Sequence, residues 1–184
     1  MYTYNNIVKD GNEVLRTKCE DVTVPLSYED FDVLSKMNDY LADSYDDELC
    51  KKYGLRPGVG LAAPQVGVAK KMLVIMAYDE KGDFHHYVLV NPKIISTSVA
   101  KCYLAGGEGC LSVEDMHPGY VKRYLRIKMK AYDHISKQDV LLSLRGYVAI
   151  VLQHEYDHLF GTLYYDHINK NNPTDTSDGA VEII

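Results

Sequence analysis

The sequence predicts an α+β domain, mainly antiparallel sheet folded around a central helix, and three observations point there. Runs rich in β-branched residues flank two glycine-rich loops; an amphipathic helix stands ahead of them; and a second helix, apolar on several sides, follows near the end.

The first helix is read over residues 28 to 45. Ser27 and Asp30 form an S-x-x-D capping signal, after which Phe31, Leu34, Met37 and Leu41 recur at helical spacing. Gly54, Pro57, Gly58 and Gly60 then break the periodicity. Strands are expected at Met72 to Tyr78, Tyr87 to Val90 and Ile94 to Ser98, with a hairpin turn from Asp79 to Asp83 around Lys81-Gly82. Ala105 to Gly119 reads as a second irregular stretch, with Gly106, Gly107, Gly109 and Pro118, and Tyr124 to Tyr132 and Val140 to Leu144 read as strands after it. From Gly146 to Leu159, Val148, Ile150, Val151 and Leu152 leave no wide polar face, the pattern of a core helix, and Gly161 stops it. The tail, with Pro173 and a polar run to Asp178, is not helical and ends in an apolar stretch, Val181 to Ile184.

At 184 residues the chain suits one domain, 1 to 184, large enough to fold without disulfides or a structural metal. A net charge of −6 argues against direct nucleic-acid binding, which rests on Lys and Arg displacing counterions. The apolar runs MLVIMAY and YVAIVL fall far short of the ~20 residues that span a bilayer, so no membrane partner is expected. The N-terminal residues have no signal-peptide pattern, and the expected location is the cytoplasm. The four cysteines are dispersed and read as thiols; Cys19, Cys50 and Cys102 are small hydrophobes in this reading. Tyrosine occurs 16 times and tryptophan not at all, for which there is no physical account.

The chemistry centres on His154-Glu155-Tyr156-Asp157-His158, an H-E-x-x-H sequence within the core helix. At 3.6 residues per turn the two histidines point within ~40° of each other, so both imidazoles can reach one ion, and Glu155 can take a proton from water. Two unrelated histidines on a surface helix are the bland alternative, and the apolar setting disfavours it. A hydrolytic site of this kind needs a third protein ligand. A metzincin-type continuation would put histidine where Tyr164 stands, and a thermolysin-like one would draw on a downstream helical Glu, whereas only Glu182 follows, in the tail. Cys110, preceded by Gly109 in a polar loop, is the better candidate. The other histidines, His85, His86, His117, His134 and His167, lack ligand spacing.

Three elements, in order, resemble those of peptide deformylases: Gly58-Val59-Gly60-Leu61-Ala62-Ala63-Pro64-Gln65, Glu108-Gly109-Cys110-Leu111-Ser112 and Gln153-His154-Glu155-Tyr156-Asp157-His158. The likeness runs from about Val8 to about Ile168. An insertion before Gly58 and the short polar tail make it similar to the Gram-positive branch. The resemblance implies a hydrolase that removes the N-terminal formyl group from formyl-methionyl nascent polypeptides and releases formate. It makes Cys110, His154 and His158 the metal ligands and Glu155 the general acid and base. Gln65, by its side-chain amide, and Leu111, by its backbone N–H, become the oxyanion donors. It also implies peptide binding by backbone at Val59, Gly60 and Gly109, a hydrophobic pocket for methionine, and one divalent ion, Fe²⁺ in vivo, with Zn²⁺, Ni²⁺ or Co²⁺ able to replace it. A ribosome contact near the exit tunnel is left open by the short tail. Glu108 and Asp157 are candidates to orient the ligands, with a plain surface charge the alternative for Asp157. The rival readings are an HExxH metalloprotease cleaving internal peptide bonds and a non-catalytic metal-binding protein.

Overall fold

The computed structural model describes residues 1–184, in two sheets and three α-helices. Helix α1, Tyr28–Asp43, starts where Ser27 accepts the Asp30 N–H at 3.1 Å and buries Leu34, Met37, Tyr40 and Leu41. Phe31 is not on that inner face; it is 46% exposed against His134, and Asp30 takes the inward position, bonded to Lys70. Helix α2, Asp47–Tyr53, is absent from the sequence reading because none of its seven residues is buried, which leaves no apolar period to detect. Asp46 caps it, and Gly54 closes it in the left-handed region.

Strand β1, Gly60–Ala62, lies inside a stretch expected to be irregular. It pairs with β2, Met72–Tyr78, which pairs with β3, Phe84–Thr97. The sequence splits β3 in two at Asn91-Pro92; the structure instead absorbs the interruption as a bulge, with Asn91 at φ 50 and the register shifting between Val90 and Lys93. After β4, Lys101–Leu104, the expected strand 124 to 132 is divided between sheets as β5, Arg123–Tyr124, and β6, Arg126–Asp133. Strand β7, Gln138–Arg145, leads into helix α3, Gly146–His158, and the apolar tail forms β8, Val181–Ile183. The strand orders are β1-β2-β3-β6-β7 and β5-β4-β8, antiparallel throughout except for β4 with β8. The class is therefore α+β with mainly antiparallel sheets.

Helix α3 contacts both sheets. Val148, Val151 and Leu152 pack with Leu73, Ile75, Leu89, Ile127 and Met129 of the large sheet, while Ile150 packs with Cys102, Leu125 and Ile183 of the small one. That accounts for apolar residues on several sides of the helix. Gln153 ties it to β5, accepting the Tyr124 N–H and donating to the Tyr124 carbonyl, both at 2.9 Å. Its C-terminal end is stitched to the N-terminal segment, where the Cys19 N–H donates to the Leu159 carbonyl at 2.9 Å.

Gly161 closes this corner at φ +72, and a Cβ there would lie 2.5 Å from the Arg16 carbonyl oxygen. Gly161→Ala is expected to lose about 1–3 kcal/mol of stability, from the left-handed backbone and the clash together. Urea unfolding checks this, and an unmoved midpoint refutes it.

Candidate active site

The last turns of α3 carry His154 and Glu155 into a pocket and bring His158 against Cys110, with the two imidazole centroids 5.1 Å apart. Cys110 comes from the loop between β4 and β5, held by a local bridge to Val113. The ligand atoms of Cys110, His154 and His158 all lie within 4.8 Å of one another, and all three residues are buried. Cys110 Sγ is 3.4 Å from His158 Nε2. An edge of roughly 3.5 Å is what a tetrahedral ion with one thiolate and one imidazole requires, so the donor set fits a divalent cation.

Burial works against a proton on His154, but bonds to Cys110 and Glu108 outweigh it and lift its pKa well above the usual 6.5; a cation taking Nε2 has to displace a proton there. Burial, then repulsion from His154, pushes His158 well below its usual value, which keeps it in the neutral form that ligates. Burial pushes the Glu155 carboxyl up to about 7. Glu155 Oε2 and His158 Nδ1 are buried without a hydrogen-bond partner. A buried carboxyl in the cavity lining, with an oxygen uncommitted to any hydrogen bond, is suited to exchanging a proton with water.

Glu108 orients His154. Its Oε2 is 2.7 Å from His154 Nδ1 and 2.9 Å from an Arg123 guanidinium nitrogen, while its Oε1 accepts from Arg123 Nε at 2.8 Å. With Nδ1 donating to the carboxylate, Nε2 is left free toward the ligand cluster. Burial would raise the Glu108 pKa, yet the Arg123 cation overcomes that and brings it down to about 2. Asp157 is not against a ligand. Its carboxylate accepts from Arg123 and, at 2.7 Å, from His167 Nε2, so it supports the histidines only through Arg123 and is not a free surface charge. Arg123 escaped the sequence reading, since a lone arginine in a strand-like run gives no sign of being buried. Of the other histidines, His85 meets Asp79, His86 meets Asn38 and His117 stacks on Tyr165.

Gln65 stands on the opposite wall. Its Oε1 accepts the Ala62 N–H at 2.8 Å, which fixes the amide so that Nε2 points to Ser112 Oγ at 3.3 Å and Cys110 Sγ at 3.5 Å. Val59, Gly60, Gly109 and Leu111 line the same cavity, of about 390 Å³, with Tyr147, Ile150 and Val151 as apolar wall. Gly60 has a role that the sequence did not suggest: a Cβ there would fall 2.4 Å from Glu155 Oε1, so its missing side chain makes room for the carboxylate. At Gly109 a Cβ would meet nothing. Every residue singled out from the sequence as ligand, proton carrier, oxyanion donor or peptide contact lines this cavity, except His158, which reaches the cluster from beneath Cys110.

The family profile described as polypeptide deformylase matches residues 4–174. The chain is 50% identical to a peptide deformylase of Macrococcus caseolyticus over 184 residues, all of both chains. It is 48% identical to peptide deformylase 2 of Bacillus anthracis over 180 residues, 98% of this chain and 97% of the relative. Among solved structures it resembles a Plasmodium falciparum peptide deformylase in complex with an inhibitor, at 31% identity and TM-score 0.69 over 90% of each chain.

Two outcomes follow from the Glu108 and Arg123 pair. Arg123→Met leaves a buried carboxylate without its cation and is expected to cost about 3–5 kcal/mol in urea unfolding; a loss below 1 kcal/mol contradicts this. Because the folded-state pKa of Glu108, about 2, lies below the usual 4.5, its contribution is full above pH 4.5 and drains away as pH falls toward 2. Stability measured across that window should fall less steeply in Glu108→Gln than in the wild type.

Proposed function

The chain belongs to the peptide deformylase family, and from that footing we propose that it removes the formyl group from formyl-methionyl nascent polypeptides, releasing formate. The observation that carries the reading is the convergence of Cys110, His154 and His158, whose ligand atoms lie within 4.8 Å of one another, on a cavity that Glu155 and Gln65 also line. We read residues 1–184 as one catalytic domain and α3 as its central helix. No helix is long and apolar enough to cross a membrane, and we assign the enzyme to the cytoplasm, with nascent chains as its partners.

Cys110, His154 and His158 would hold the metal. A thiolate with two imidazoles suits Fe²⁺, Zn²⁺, Ni²⁺ and Co²⁺ alike, and we take Fe²⁺ as the ion in vivo. A divalent ion bound there supplies Lewis acidity, to water and to the formyl oxygen. Glu155 removes the proton from the attacking water as its oxygen bonds to the formyl carbon. The negative charge that builds on the formyl oxygen is met by the Gln65 amide, already aimed by its bond to the Ala62 N–H, and by the Leu111 backbone N–H. Glu155 then returns the proton to the amine nitrogen as the C–N bond breaks, giving formate and a free N-terminus. The substrate backbone lies along Val59, Gly60 and Gly109, and its first side chain enters the apolar part of the cavity formed by Leu111, Tyr147, Ile150 and Val151.

Cleavage of internal peptide bonds, the rival reading, is not favoured, because Cys110 stands beside the paired histidines where a third ligand is needed and the relatives are deformylases. Formate release from formyl-Met-Ala-Ser, assayed beside cleavage of an unblocked peptide and paired with metal analysis of anaerobically prepared protein, tests the assignment. Peptide cleavage without formate would overturn it.

Cys110→Ser is expected to lose most bound metal and most turnover; unchanged metal content removes Cys110 from the ligand set. Glu155→Ala should slow formate release by about 10²–10⁴-fold with metal retained, and Gln65→Leu by about 10²–10³-fold. A rate within twofold of wild type for either variant removes that residue from the mechanism.

A further inference from the structure

Helix α3 bears the histidines and the proton carrier, yet it begins without a cap of its own. Arg145, at the N-cap position, makes no side-chain bond, and the first turn holds no acidic residue. The first N–H groups of a helix need partners from elsewhere. The Gly146 N–H reaches the Leu125 carbonyl at 3.0 Å. The Tyr147 N–H reaches the carboxylate of Glu80, Oε1, at 3.0 Å, across 67 residues of chain.

Glu80 sits on the turn between β2 and β3, and that turn is braced. Asp79 Oδ1 accepts the N–H groups of Lys81 and Asp83, both at 2.9 Å, and the Gly82 N–H donates to the Asp79 carbonyl at 3.0 Å. The carboxylate is thus delivered by a stiff hairpin. The helix also makes room for it: Gly146 adopts φ +61, and a Cβ there would fall 1.8 Å from Glu80 Oε1. The residue whose N–H is capped, Tyr147, is one whose side chain lines the active-site cavity.

We propose that Glu80 is a positioning residue for substrate binding: its carboxylate caps α3 and so holds Tyr147 in the wall of the cavity. This rests on the deformylase reading. Without the cap the Tyr147 N–H loses its partner and the Tyr147 ring is held by its packing against the core alone, so its position loosens. Glu155 lies eight residues further along, about 12 Å at 1.5 Å per residue, and the turns between are fixed by both sheets. Substrate binding therefore suffers while the chemical step does not.

Steady-state kinetics with formyl-Met-Ala-Ser and amide hydrogen exchange at Tyr147, on the metal-loaded protein, test this. In Glu80→Ala, KM should rise roughly fivefold, the worth of one lost cap, with kcat within about twofold, and exchange at Tyr147 should quicken by a similar factor. Glu80→Gln keeps an acceptor oxygen and should restore most of both. A KM that does not rise, kcat falling in place of it, or Glu80→Gln as impaired as Glu80→Ala overturns the proposal. So does unchanged exchange, which needs no substrate and judges the cap alone. Wild-type formate release judges the underlying activity alone, and its absence overturns the positioning role together with that reading.

Discussion

One buried carboxylate holds the site together. Glu108, on the loop that carries Cys110, is bonded on one side to Arg123 of β5 and on the other to His154 of α3. Removing such a group from water costs several kcal/mol, and only good geometry with full hydrogen bonding offsets that. The arrangement meets both conditions, with a two-pronged contact to the guanidinium and the remaining reach of Glu108 Oε2 used by His154 Nδ1. The loop, the small sheet and the helix are thereby locked in one relative position, and with them the Cys110 sulfur and the imidazoles. The charge network acts beside apolar packing, since Cys110, Val113 and Val121 of the same loop form a buried cluster with Leu163 and Tyr164.

How much of this was legible in the sequence differs from residue to residue. The apolar sides of α3 were readable because a helix touching two sheets cannot keep a wide polar face. The spacing of His154 and His158 was readable because helical geometry alone brings them together. Cys110 was weaker: the need for a third ligand and its glycine neighbour made it a candidate, and only the likeness to a known family made it a ligand. Arg123 could not be read at all, because what buries it is the pair of acids it bridges, and Glu108 and Asp157 lie 15 positions before and 34 after it.

The fold-level misses have two causes. No residue of helix α2 is fully buried, and Cys50 packs only partly against the core, so the helix is marked by the Asp46 cap and its junction with Gly54, signals of local chemistry that carry no periodicity. Phe31 sits at helical spacing from Leu34 yet turns outward, because Asp30 pairs with Lys70 and occupies the inward position. At Asn91-Pro92 the pattern implied a break, but Asn91 tolerates positive φ, and its side chain exchanges hydrogen bonds with the Val22 backbone at 2.8 and 2.7 Å. At Phe31 and Asn91 contact with a distant segment overrides a local pattern, whereas at α2 there is no periodic pattern to override.

The glycine at position 60 brings the sheet and the proton carrier into one argument. Strand β1 is an edge strand, paired with β2 on one side only, and Gly60 opposes Ile75 in that ladder. Its other edge has no partner strand, although the Ala62 N–H there is taken by Gln65 Oε1, and such an edge is one that can recruit an extended peptide. Glu155 approaches the same residue so closely that any Cβ would fall 2.4 Å from its oxygen. A side chain at position 60 would displace the carboxylate even if the peptide could still bind. On the proposed mechanism, the space for the proton carrier and the strand edge offered to a substrate are set by the same missing side chain, so a substitution at this residue would alter both.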